Sequence, residues 1–130
     1  MNTNPIRVVI ADDAEILRAL LVRALSRDPR LEVVGQALNG RQAVDLVDEL
    51  APDVLLLDLS MPVLDGIGVL RELSAKSIGR PSTAVVVLTG YGEADLGEQC
   101  RGLGVHAFVE KGVSLSVICD ALVNAAGREL

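Results

Sequence analysis

The chain has 130 residues, half of them hydrophobic and 23% charged, with a formal net charge of -6. That is enough for one domain with an aliphatic core and too little for two ordinary ones, and it excludes wholesale disorder. The acidic balance argues against these residues gripping a phosphate backbone, no apolar run approaches the roughly 18 residues of a membrane span, and Met1-Asn2-Thr3-Asn4-Pro5 lacks the basic and apolar stretches of a secretion signal, so a cytoplasmic protein is expected.

The first apolar run, Ile6 to Ala11, ends on Asp12-Asp13. Leu17, Leu20, Leu21, Ala24 and Leu25 follow at the spacing of one helix face. A second run, Leu31 to Gly35, precedes another helical stripe, Ala43, Leu46, Val47 and Leu50. The third run, Asp53 to Leu57, delivers Asp58; the fourth, Ala84 to Leu88, delivers Thr89; the fifth, His106 to Val109, leads into Lys111. Between the last two runs, a fourth helix near Glu93 to Gly102 is the weakest, because Gly97 inside it costs roughly 1 kcal/mol relative to Ala. The closing helix, the fifth, carries Leu115, Ile118, Ala121, Leu122 and Ala125 on one face, with Ser114 as its candidate N-cap. Cys100 and Cys119 form no CxxC pair and read as reduced core residues, and His106 reads as a structural strand residue.

Short, non-alternating runs belong to strands buried on both faces, and strict strand-helix alternation demands a parallel sheet with right-handed crossovers. In such a doubly wound sheet the functional crevice lies at the carboxyl ends of the strands, near the switch in strand order. Those ends carry Asp12, Asp13, Asp58, Thr89 and Lys111. Singly, each has a plainer explanation: Asp12 and Asp13 as caps of the next helix, Asp58 as a solvated loop carboxylate, Thr89 as a strand end. Together they carry a cost, since two carboxylates roughly 5 Å apart at an effective dielectric of 20 repel by about 3 kcal/mol, and a third adds more. Such a cluster wants a cation. All-oxygen ligands suit Mg2+ or Mn2+, whereas zinc would ask for Cys or His, and His106 is the one histidine in the sequence. A metal at this edge could hold a phosphate, with Lys111 bridging one oxygen, and a carboxylate of the cluster could attack phosphorus to form an acyl phosphate.

At this point the chain resembles the receiver domains of two-component response regulators, over nearly its whole length. The marks are Asp12-Asp13, the run Asp53-Val54-Leu55-Leu56-Leu57-Asp58-Leu59-Ser60-Met61-Pro62 with Asp65-Gly66 beyond, Thr89-Gly90, and Phe108-Val109-Glu110-Lys111. The resemblance implies an α/β, flavodoxin-like (CheY-like) doubly wound sheet of five parallel strands in the order 2-1-3-4-5 with five helices, residues 1–130 forming one receiver domain. It implies Asp58 as phosphoacceptor, and Mg2+ (or Mn2+) held by Asp13, Asp58 and the backbone carbonyl of Ser60, with Asp12 assisting through water. Lys111 would contact the phosphoryl oxygens, Thr89 would be the switch hydroxyl, and Phe108 the aromatic that moves inward behind it. The chain's only other aromatic, Tyr91, and Ser60 occupy places that tune how fast the phosphate is lost. The implied partner is a sensor histidine kinase, chosen by the first helix around Glu15 to Val22. The implied readout is the face of the fourth helix, fifth strand and fifth helix, through homodimerisation or release of an output domain. On this reading the chain is no enzyme beyond catalysing its own phosphorylation and dephosphorylation.

Val33-Val34-Gly35-Gln36-Ala37, Asn39-Gly40, Lys111-Gly112 and the closing Ala125-Ala126-Gly127-Arg128-Glu129-Leu130 are similar to the NarL/FixJ type, whose receiver precedes a LuxR-type helix-turn-helix. Residues 1–130 are therefore expected to be the N-terminal part of a longer transcription regulator that meets DNA only through an output domain. A stand-alone receiver stays open, and so does one that works without phosphorylation, because the family's frequent Lys-Pro pair is Lys111-Gly112 here. A phosphatase of the haloacid-dehalogenase type would carry a second Asp two residues after its nucleophile, where this chain has Ser60. A nucleotide-binding module would carry GxGxxG or GxxxxGK(S/T), where it has Ala11-Asp12-Asp13-Ala14.

Overall fold

Parallel pairing of five short aliphatic runs builds the frame. The computed structural model describes residues 4–59, 61, 65–76, 83–90, 98, 100 and 102–127. Strands β1 (Ile6–Ala11), β2 (Leu31–Ala37), β3 (Val54–Asp58), β4 (Ala84–Thr89) and β5 (Val105–Glu110) form one sheet in the order β2-β1-β3-β4-β5, every pairing parallel. The described helices are α1 (Glu15–Ser26), α2 (Gly40–Leu50), α3 (Gly66–Lys76) and α4 (Leu115–Ala125), so α4 is the closing helix of the sequence. The helix expected near Glu93 to Gly102 lies outside the described residues except at Glu98, Cys100 and Gly102.

Successive side chains on a strand point to opposite faces, so one sheet supports two cores. Ile6, Val8, Ile10, Leu56 and Val86 pack with Leu21 and Leu25 of α1 and Ile118 and Leu122 of α4. Val9, Ala11, Leu55, Leu57 and Val87 pack with Ala43 and Val44 of α2 and Val69 and Leu70 of α3. The three inner strands are apolar on both faces for this reason, and every residue of β3 is buried. The outer strand β5 alternates instead. Both cysteines are free and buried, and burial pushes both thiols above their ordinary range, as befits core residues.

The ends of the elements follow local chemistry. Asn39 caps α2, its side chain accepting from the Gln42 N–H at 2.9 Å, while Gln42 Oε1 accepts from the Leu38 N–H at 2.8 Å. Ser114 caps α4 as expected, accepting from the Val117 N–H at 3.4 Å. Among the described residues no helix is long and apolar enough to cross a membrane.

Two expectations shift. Leu20, counted on the buried stripe of α1, is 49% exposed, because it lies at the margin of the Leu17-Leu21-Ala24-Leu25 face, and Ile16 just beyond that margin is 79% exposed. Strands β2, β4 and β5 also run one or two residues longer than their apolar runs, and β3 is displaced by one residue, so that Asp58 closes β3 rather than following it. Backbone pairing, indifferent to side-chain polarity, carries the strand onto the carboxylate.

The start of α3 lies against that end of β3. Gly66 N–H donates to the Leu59 carbonyl at 3.0 Å, and a Cβ on Gly66 would stand 2.6 Å from Leu59 Cα. The contact is with backbone, so a side chain cannot swing aside. Gly66→Ala is therefore expected to lower stability by about 1 to 3 kcal/mol in urea unfolding, through forced overpacking.

Candidate functional site

Asp12, Asp13, Asp58, Thr89 and Lys111 stand where strands run out, whereas Phe108 lies within β5. Asp12 follows β1, and Asp58 is the last residue of β3; these residues are 0% and 1% exposed, the two buried polar residues of the described chain. Asp13 is exposed. These three residues each offer a carboxylate oxygen, and the three atoms lie within 4.8 Å of one another. Lys111, just past β5, brings its Nζ to 3.1 Å from Asp58 Oδ1. Its backbone N–H donates to the Thr89 carbonyl at 2.8 Å, tying the amine to the end of β4.

The capping role open to Asp12 and Asp13 is not taken. The N-cap of α1 is Ala14, with no side-chain hydrogen bond. Asp12 Oδ1 instead accepts from the Ala14 N–H at 2.8 Å, a turn two residues long. Asp12 Oδ2 is buried without a hydrogen-bond partner among the described residues. Burial above all raises the Asp12 carboxyl above its ordinary value; the Ala14 N–H opposes this, Asp58 reinforces it, Lys111 opposes it, and Asp13 reinforces it again. A buried carboxylate oxygen with no donor, facing two further carboxylates, fits a hard divalent cation. The residues that would hold it are Asp12, Asp13 and Asp58. Ser60, expected to add its backbone carbonyl, lies outside the described residues, as does Tyr91.

Thr89 closes β4, half-buried, one strand over from Asp58. Phe108 lies on β5 and is 46% exposed. His106 is structural: its Nδ1 accepts from the Val85 N–H at 3.4 Å, at the register irregularity between β4 and β5. The Lys111-Gly112 bond is not cis, and Gly112 adopts φ +102°. Proline is locked near −65° and could not occupy this turn, so glycine here is a different solution to the same loop rather than a gap in a motif.

One contact escaped the sequence. Arg18 of α1 donates from Nη1 to the Asp12 carbonyl at 2.9 Å and from Nε to Gln36 Oε1 at 3.3 Å. No motif marks it, since only the fold brings the first turns of α1 over the end of β1.

Residues 8–123 match the response regulator receiver domain family. Transcriptional regulatory protein PdtaR of Mycobacterium tuberculosis is 36% identical over 124 residues, covering 95% of this chain and 58% of that protein. Protein-glutamate methylesterase/protein-glutamine glutaminase 5 of Myxococcus xanthus is 44% identical over 113 residues, 87% of this chain and 32% of that protein. Among solved structures, the signal receiver domain of the response regulator NarL from Mycobacterium tuberculosis superposes with a TM-score of 0.86 at 32% identity, covering 97% of this chain and 99% of that one. The chain belongs to the response regulator receiver domain family, the receivers of two-component signalling. It spans between about a third and little more than half the length of these curated relatives.

The electrostatics give a test with a definite sign. The folded chain holds the Asp12 proton more tightly than the unfolded chain, so this residue's contribution to metal-free stability falls as pH rises from the ordinary carboxylate value of 3.8 through the raised one. Urea unfolding of Asp12→Asn should lack that fall and, without metal at neutral pH, should exceed the wild type by about 1 to 3 kcal/mol. Mg2+ should stabilise the wild type and have much less effect on the variant.

Proposed function

We propose that this chain is phosphorylated on Asp58 by a sensor histidine kinase and thereby controls an output domain beyond residue 130. The observation that carries this reading is the buried Asp58 with Lys111 at 3.1 Å and two further carboxylates at the same strand ends. In the transfer, an Asp58 carboxylate oxygen forms a bond to phosphorus as the bond from phosphorus to the donor's imidazole nitrogen breaks, and the imidazole recovers a proton. Bound Mg2+ or Mn2+ would neutralise the carboxylates and the incoming phosphoryl oxygens. Lys111, already paired with Asp58, moves its charge onto a phosphoryl oxygen. The new group brings about -1.5 to -2 charge units to a site already acidic, and Thr89 and Phe108 are the residues that answer it: the hydroxyl bonds the phosphoryl group and the exposed ring turns inward. Repacking of the helix expected near Glu93 to Gly102 against β5 and α4 then carries the change to dimerisation or to release of the output domain.

Ile16 and Leu20, apolar and exposed on α1 beside the acidic edge, support that helix as the kinase-docking face. The NarL receiver among the similar structures supports a NarL/FixJ-type transcriptional output, with DNA contacted only by the attached domain, while PdtaR, by its name, supports a transcriptional output without pointing to that type. A second output, an attached methylesterase, is favoured by the relatives of that name, of which this chain matches only the receiver.

Incubation with acetyl phosphate and Mg2+ is expected to add the mass of one phosphoryl group to the wild type, and none to Asp58→Asn or to metal-free protein. An adduct retained in Asp58→Asn would overturn the assignment. With a cognate kinase, Ile16→Asp should slow phosphotransfer by an order of magnitude or so and leave labelling by acetyl phosphate unchanged, an apolar anchor being exchanged for a charge.

A further inference from the structure

We infer that Arg18 is a positioning residue for the metal site, acting through the backbone of Asp12. The inference rests on the functional reading above and adds a residue that the acidic motif does not include. Asp12 is held at three atoms. Its N–H donates to the Ala37 carbonyl at 3.1 Å, its Oδ1 accepts from the Ala14 N–H at 2.8 Å, and its carbonyl accepts from Arg18 Nη1 at 2.9 Å. That carbonyl belongs to the peptide joining Asp12 to Asp13. Fixing its plane fixes the direction in which the chain leaves toward Asp13, whose own side chain is exposed.

The guanidinium is aimed in turn. Its Nε donates to Gln36 Oε1 at 3.3 Å, and Gln36 pairs with Ile10 across the β1–β2 ladder. Arg18 therefore clamps the acidic turn to β2 as well as to α1. The choice of acceptor matters chemically. A guanidinium bonded to a carboxylate of the cluster would occupy oxygens that a cation needs and would compete with it. Bonded to the carbonyl, Arg18 takes up no carboxylate oxygen of the cluster while holding the peptide between two of the acids in place, which is the part that outer residues play around metal ligands.

Geometry and charge pull the expected effects in opposite directions, which makes the inference testable. Removing a cation near a cation site tightens metal binding if charge is all that Arg18 supplies, whereas removing a clamp weakens it. Mg2+ alone is titrated into the metal-free wild type, Arg18→Met, Arg18→Lys and Gln36→Ala, and binding is followed by calorimetry. Arg18→Met should raise the Kd about 10-fold or more, in the range found for residues that support metal ligands. Arg18→Lys should recover part of the loss, and Gln36→Ala should show a smaller loss of the same sign. Hydrogen exchange at the Asp13 and Ala14 amides of the metal-free protein should quicken in Arg18→Met. An unchanged or lowered Kd in Arg18→Met overturns the inference while leaving the receiver assignment intact. Should that variant not fold, an unchanged Kd in both Arg18→Lys and Gln36→Ala overturns it equally. A wild type that binds no Mg2+ overturns the functional reading and this one with it.

Discussion

The pairing of β1 with β3 is the constraint from which the rest follows. In that register Ala11 stands opposite Leu57, so the next residues along, Asp12 and Asp58, are delivered side by side at the same edge of the sheet. Neither can withdraw without breaking a ladder that runs through the middle of two cores. The cluster is electrostatically unfavourable by several kcal/mol on its own, and apolar burial on both faces of the sheet is large enough to hold it there. Asp12 shows the cost most clearly, with one carboxylate oxygen bonded to a backbone N–H and the other buried without a donor.

Relief comes from two strands away. Lys111 follows β5, and its backbone is tied to Thr89 at the end of β4, so the amine that reaches Asp58 is connected through main chain to the residue proposed to respond to phosphorylation. Strand β3 is buried along its whole length and β1 and β4 at all but one residue each, while β5 alternates and Phe108 stands half in solvent. A well-packed centre holding the proposed phosphoacceptor beside a less enclosed outer layer is the physical arrangement a switch needs: chemistry demands fixed geometry, and readout demands a surface that can repack.

The parts legible from sequence were those written in short-range pattern. Five apolar runs gave five strands, Ser114 gave a cap, and Asp12, Asp13, Asp58, Thr89 and Lys111 were recognisable because strand ends in a doubly wound sheet converge. The misses have physical causes. Leu20 was placed on the buried face because periodicity gives a stripe but not its width, and the width depends on how α1 sits on the sheet. The end of β3 was set one residue early because the apolar run stops at Leu57, whereas the hydrogen-bonded ladder with β4 continues to Asp58.

By itself, the sequence determined the class of fold and the set of reactive groups, since hydrophobic period, strand-helix alternation and the residues after each run are local properties of the chain. Only the tertiary structure decided how those groups divide the work. It buried Asp12 and left Asp13 exposed, although the two are adjacent; it turned Gly112 into a positive-φ hinge that supports Lys111 without a proline; and it set Arg18 on the carbonyl between the two acids. Each of these depends on which elements pack over the carboxyl edge of the sheet, and no pattern in neighbouring residues records that packing.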